Sequence, residues 1–205
     1  MFKDITLKDF IDRTASKDPV PGGGSVAALC SVLSCSLTEM VTNLTIGKEK
    51  YKEHEAEMED IKEKMSSLSD EFYDYINKDA DAFSGVMKAF KLPKETEEEK
   101  ELRKAKIQES LKEAAIVPYE VAEMSFDMMK LIKLVVLHGN TNAVTDGMVA
   151  AMLSRTAVLS AILNVKINLN SIKDETFVAN YREKIEVLTR NVAILETEIL
   201  DCAQL

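Results

Sequence analysis

The sequence predicts an all-α protein: a multihelical array of about seven to eight helices around a buried central helix, in one domain over residues 1–205. Three observations carry that prediction. Apolar residues recur at spacings of three and four over two long stretches, one from Lys50 to about Asn77 and one at the C-terminal end. Two other stretches, after Ser25 and after Ala143, are apolar nearly all round a helix, as buried segments are. Only seven glycines and four prolines interrupt the chain, and no run alternates long enough to need a strand.

Thr6 with Asp9 three residues on forms a capping-box start for a short first helix ending near Arg13. Pro21 and the three glycines Gly22, Gly23 and Gly24 then make a turn whose backbone can approach a ligand or a neighbouring helix closely. Ser25 is expected to cap the helix that follows, to about Thr45, and exposed amides at such a start favour an anionic group. Its bulky residues, Leu29, Val32, Leu33, Leu37 and Met40, alternate with Ala, Ser and Cys on every side. Met58, Ile61, Met65, Leu68, Phe72 and Tyr75 form a heptad-type stripe on the next helix, with Glu and Lys on its other faces. Thr96 with Glu99 opens a helix to about Val117, and Pro118, at a first-turn position, opens another to about His138. Gly139 and Asn140 end it. Ala143 to Asn168 is the second all-apolar segment, and Tyr181, Ile185, Leu188, Val192, Leu195, Ile199 and Cys202 stripe the last helix.

Composition narrows the function. The chain carries 30% charged residues and a net charge of -9, with no basic run or stripe, so no nucleic-acid partner is expected. The N-terminus lacks the pattern of a signal peptide, and the run after Ser25 is broken by Ser31, Ser34, Ser36, Thr38 and Glu39; no membrane partner is expected and a cytoplasmic location is. Three cysteines without paired spacing suit a reducing compartment. Cys30 and Cys35 lie roughly 140° apart on a helix and cannot share a metal from it. His54 and His138 have no second ligand at helical spacing, so no metal is expected. GGGS lacks the lysine of a phosphate-binding loop, and no nucleophile elbow is present.

What remains is three polar clusters at helix ends or in apolar segments. They are Asn43, Thr45, Gly47, Lys48, Lys50 and Tyr51; then Asn77, Lys78, Asp79 and Asp81; then Asn140, Thr141, Asn142, Thr145 and Asp146, with Asn164 and Asn168 further along. A buried amide or carboxylate left unpaired costs about 1–3 kcal/mol, so such residues either pair with one another or face a cleft. Bracing of helix ends and contact with a ligand are equally open readings.

The motifs PGGGSVAAL, NLT-x-GK-x-KY, DA-x-AF, KLPK-x-TEEEK, GN-x-NAVTD and NV-x-INL-x-x-IKD-x-x-F occur in that order, from about residue 3 to about residue 200. In this the chain resembles the cyclodeaminase/cyclohydrolase family of folate enzymes. The resemblance implies a multihelical fold, at least a homodimer, and chemistry on a one-carbon unit held between two folate nitrogens. The expected activity is hydrolysis of 5,10-methenyltetrahydrofolate to 10-formyltetrahydrofolate, with no cofactor beyond the tetrahydrofolate substrate. The alternatives are a formiminotetrahydrofolate cyclodeaminase, which releases ammonia, and a non-catalytic folate-binding helical protein. Asp79 matches the second acid of the family pattern Asp-x-Asp-Ala-x-Ala-Phe and is the expected general acid/base; Asn77 stands where the pattern has its first Asp. The resemblance places Asn142, Asp146, Asn164 and Asn168 along the folate site, and Asn43 and the Gly22, Gly23, Gly24, Ser25 turn with them. Lys48 and Lys50 are either holders of the glutamate tail, as point charges, or part of a solvated face, and the two readings are equally open.

Overall fold

The predicted capping box forms in full at Thr96, and at Thr6 only the hydroxyl's half of it forms, the Asp9 carboxylate accepting from the Thr6 hydroxyl. Thr6 Oγ1 accepts from the Asp9 amide at 3.1 Å at the head of α1 (Leu7–Thr14), and Thr96 and Glu99 satisfy each other's backbone amides at the head of α4 (Glu97–His138). The structure is a computed structural model and describes residues 1–203, apart from the Lys3 side chain. The other helices are α2 (Gly23–Thr45), α3 (Glu55–Phe90), α5 (Val144–Leu169) and α6 (Glu175–Cys202). Short 3-10 turns lie at Phe2–Asp4, Glu49–His54 and Thr141–Ala143. The described residues contain no strand.

The described residues therefore form six α-helices, not seven or eight. The difference arises at Pro118, which lies inside a continuous α4 instead of opening a new helix. A proline inside a helix deprives the carbonyl four residues back of its donor. Here that carbonyl, Ala114 O, accepts from Asn168 Nδ2 on α5 at 2.8 Å, so a neighbouring helix repairs the break. The heptad stripe behaves as a core seam: Met58, Ile61, Met65, Phe72 and Tyr75 are buried and Leu68 is half-buried. Each such side chain fully removed from water contributes about 1.5–3 kcal/mol. The helix carrying it runs on past Asn77 to Phe90, so the second polar cluster lies within α3.

α2 packs against α3, α5 and, less extensively, α4; α5 packs on α2, α4 and α6. Small residues allow the close approach: Ala27, Ala28, Ala150, Ala151, Ala157 and Ala161 are all inaccessible to solvent. The hydroxyls of this interior are satisfied locally or across helices, as in Ser34 Oγ to Ala150 O at 2.7 Å, Ser31 Oγ with Ser125 Oγ at 2.7 Å, and Ser154 Oγ to Ser125 O at 2.7 Å. The expected envelopment of a central helix on every side does not hold. Leu33, Met40 and Leu44 on α2, and Val149, Met152, Leu163 and Ile167 on α5, are exposed. By length and composition Gly23–Thr45 and Thr141–Leu169 are apolar enough to cross a membrane, and their most apolar windows are 56% and 44% buried within the fold.

Candidate functional site

Helix α2 begins one turn earlier than predicted. Its N-cap is Gly22, whose side-chain-free position makes no cap bond, and Ser25 is the third residue of the helix instead of its cap. That shift aims the Ser25 amide and hydroxyl outward from the helix start, and both meet Asp79 of α3: Ser25 N donates to Asp79 Oδ2 at 2.9 Å, and Ser25 Oγ lies 2.9 Å from the same oxygen. The anion drawn to the helix terminus is thus one of the protein's own side chains. Ser25 is fully buried. A Cβ on Gly24 would overlap the Asp79 carboxyl, and a Cβ on Gly23 would lie 3.1 Å from Asn164 Nδ2 of α5. The approach of two neighbouring helices therefore favours glycine here, most strongly at Gly24.

Burial pushes the Asp79 carboxyl above the usual carboxylate range, against the opposing pull of the Ser25 hydroxyl and amide. Ser25 Oγ has a second acceptor, Ile76 O, at 3.0 Å. Its single proton goes to Asp79 when that group is ionised. When Asp79 carries a proton, it donates to Ser25 Oγ, which turns its own proton to Ile76 O. The same heavy-atom positions accommodate both protonation states, which is what a proton-transfer group needs. Asn77 does not face this pair: two residues apart on a helix is roughly 200° of rotation. Its Oδ1 accepts from Phe2 N at 2.7 Å and its Nδ2 is buried without a hydrogen-bond partner among the described residues. One turn beyond Asp79, Phe83 lines an open cleft of about 330 Å³ with Pro19, Val20, Ser84, Met87 and Lys88.

At the other end of α2, Asn140 N donates to Thr45 Oγ1 at 2.8 Å and Asn140 Nδ2 to Leu44 O at 2.8 Å. Asn140 Oδ1 accepts from Asn142 N at 3.1 Å and from the Tyr51 hydroxyl at 3.4 Å. Thr141 N donates to the Tyr51 oxygen at 3.0 Å, and Lys50 Nζ to Thr141 Oγ1 at 3.2 Å. Hydrogen bonding with Thr141, supported by Lys50, brings the Tyr51 phenol down to about 8.

The predicted residues accordingly divide. Gly22, Gly23, Gly24, Ser25, Asp79 and Asn164 gather at the N-terminal end of α2. Asn168, one turn past Asn164, spends both amide hydrogens on Ala114 O and Asn164 O. Asn43, Lys48 and Asn142 are exposed around the C-terminal end, where half-buried Asp146 opens the first turn of α5. At 1.5 Å per residue the two ends are about 33 Å apart. Sequence reasoning named both Ser25 and Asp79 but not their contact, which no spacing encodes. It also missed the pairing of His54 and His138, whose rings stack with centroids 4.1 Å apart. The local signal was His54-x-x-Glu57, one helical turn; the third member, His138, comes from α4.

Residues 6–187 match the sequence profile of the family described as Formiminotransferase-cyclodeaminase. The chain is 38% identical to a methenyltetrahydrofolate cyclohydrolase of Methylorubrum extorquens, covering 96% of this chain and 94% of that one. It is 33% identical to the formimidoyltransferase-cyclodeaminase of Sus scrofa over 95% of this chain, but spans only 36% of that longer protein. Its fold matches the crystal structure of a formiminotetrahydrofolate cyclodeaminase from Thermotoga maritima with a TM-score of 0.89 and 33% identity, over 99% of this chain and 98% of the other. On the profile match and these end-to-end similarities, the chain belongs to the formiminotransferase-cyclodeaminase family.

Proposed function

We propose that this protein hydrolyses 5,10-methenyltetrahydrofolate to 10-formyltetrahydrofolate, with Asp79 as the acid/base group. The observation that carries the proposal is the half-buried Asp79 carboxyl in its two-state contact with Ser25. Water adds to the amidinium carbon and gives up a proton to the Asp79 carboxylate, leaving a neutral tetrahedral adduct. Collapse breaks the bond to the pterin nitrogen, which takes the proton back from Asp79 as the adduct's hydroxyl loses its own to solvent and becomes the formyl oxygen. The net reaction consumes one water and releases one proton. A carboxylate close by also favours the cationic amidinium while it persists. In this reading the cleft beside Phe83 receives the ring system, Asn164 borders the site, and exposed lysines hold the glutamate tail, with Lys48 and Lys50 the first candidates.

Formiminotetrahydrofolate cyclodeaminase activity is the second reading, supported by the Thermotoga maritima neighbour. In that reaction the same group would protonate departing ammonia. Decay of methenyltetrahydrofolate absorbance above the spontaneous rate, lost in Asp79→Asn, supports the first reading. Ammonia release from formiminotetrahydrofolate without that decay supports the second.

The reading includes a cytoplasmic homodimer. The three free cysteines suit a reducing compartment. The exposed stripe Leu33, Met40 and Leu44 lies on a helix beside Val149, Met152, Leu163 and Ile167 of its antiparallel neighbour, an apolar face of the kind that self-association covers. A two-fold axis through it would bring the Asn43 and Lys48 end of one α2 toward the Asp79 end of the partner's. Sedimentation of Leu163→Glu as a monomer, against a wild-type dimer, tests this.

A further inference from the structure

His54, Glu57 and His138 form a cluster that the folate chemistry does not use. His138 Nδ1 lies 2.7 Å from Glu57 Oε2, and His54 Nδ1 lies 3.7 Å from the same oxygen. Ligand atoms of all three fall within 4.8 Å of one another. His54 Nε2, on the outer side of its ring, is 3.4 Å from Glu53 Oε1. A carboxylate there favours the tautomer with its proton on Nε2 and leaves Nδ1 as the free donor, the usual arrangement behind a metal-bound imidazole. We infer that His54, Glu57 and His138 bind a divalent late first-row metal ion of the zinc type, with the fourth position open to water.

The donor set selects the ion. Two imidazole nitrogens with one carboxylate suit zinc and its neighbours, whereas magnesium and calcium require mostly oxygen donors. Coordination tilts the two stacked rings out of parallel so that both Nδ1 atoms point at one centre. The cluster's setting permits that, since the three side chains remain 30–34% exposed. The consequence is mechanical. His54 ends the 3-10 turn that carries Tyr51, Glu57 lies in the first turn of α3, and His138 ends α4, directly before the Gly139–Asn140 turn. A bound ion would clasp these three segments and fix the loop that anchors to the C-terminal end of α2, far from Asp79.

The test uses full-length protein freed of metal by a chelator and titrated with Co²⁺, then with Zn²⁺. The expected result is one equivalent of Co²⁺ per chain, with visible ligand-field bands and no thiolate charge-transfer absorption. His54→Gln and Glu57→Gln should each weaken uptake at least about tenfold. Zn²⁺ should raise the thermal midpoint of the wild type and leave that of His54→Gln in place. Absence of saturable uptake overturns the inference, as does uptake unchanged in His54→Gln or accompanied by thiolate bands, which would assign the ion to cysteine. Should Glu57→Gln fail to fold, His54→Gln decides alone, with its circular dichroism required to match the wild type.

Discussion

The two ends of α2 are both closed by polar contacts from other helices, and they are built on opposite terms. At the C-terminal end Asn140 is 4% exposed and its contacts with α2 have fixed donors and acceptors. Its N–H donates to Thr45 Oγ1, whose own proton goes to Val41 O, and its Nδ2 donates to Leu44 O, while the titratable Tyr51 hydroxyl meets it only at 3.4 Å from the 3-10 turn. At the N-terminal end Asp79 is a titratable group whose pKa burial raises, and Ser25 has one hydrogen for two acceptors. A fully assigned network can only brace. An under-assigned one, containing a titratable group, can change state without moving its atoms. Burial alone does not separate a site from a brace; the count of donors against acceptors does.

The largest expected break in this comparison comes from Asp79→Asn. The amide oxygen can take the Oδ2 position and accept from both Ser25 N and Ser25 Oγ, so in acid, where the wild-type carboxyl is also neutral, the fold is kept to within about 0.5 kcal/mol. Turnover falls by about 10²–10⁴-fold, the usual worth of a positioned acid/base group. The pH profile sharpens the test. Because the folded-state pKa is raised, the folded protein holds the Asp79 proton more tightly than the unfolded chain does. The stabilising contribution of that proton is complete below the ordinary carboxylate pKa of about 3.9 and is lost as pH rises through the folded value. Denaturant midpoints of wild type and Asp79→Asn should therefore agree in acid and diverge toward neutrality, with the variant the more stable. For the base step, kcat/KM should rise with pH through an apparent pKa above the ordinary carboxylate range.

Gly24→Ala is next. A Cβ there overlaps the Asp79 carboxyl, so α3 must move or the acid must leave its pocket, at a cost of about 3 kcal/mol and with turnover lost as well. Combining it with Asp79→Ala should recover part of that stability, because the two sites touch, and a double-mutant cycle reads the coupling directly. At the opposite end Thr45→Val removes the acceptor of the buried Asn140 amide. Urea midpoints should report about 2 kcal/mol of destabilisation. The protein that remains folded keeps its kcat, which is the signature of a brace.

The same distinction explains what the sequence could disclose. Local rules were legible: the Thr6 and Thr96 caps and the Met58 to Tyr75 seam follow from spacing within one segment, whereas the polar residues at 77–81, expected where a helix ends, lie inside α3. Contacts made across helices were not. Pro118 reads locally as the start of a helix, and only Asn168 reaching over from α5 explains why α4 continues. Ser25 reads as a cap because a Gly-Gly-Gly-Ser start makes the serine the first residue able to serve, whereas the close approach of Asp79 and Asn164 favours glycine inside the first turn. His54 and His138 are 84 positions apart in sequence and meet only through the packing of α3 on α4. The motif order pointed to the family and to Asp79 together, but the division of the candidate residues between two ends of one helix required the fold.

Asn168 is where brace and site compete within one side chain, and the smallest predicted effect decides between them. Its two amide hydrogens go to Ala114 O and Asn164 O, leaving only its carbonyl oxygen for a ligand. Asn164 O retains the ordinary backbone bond of a helix, but Ala114 O, facing Pro118, has no other donor four residues ahead. Asn168→Leu should therefore cost about 1 kcal/mol through that one carbonyl. If the side chain only repairs the proline break, KM for the folate substrate stays constant while the urea midpoint falls. If its oxygen also meets the pterin, KM rises with the midpoint shift. Pairing the variant with Pro118→Ala separates the two: restoring the helix's own N–H returns the lost stability and leaves any change in KM where it was.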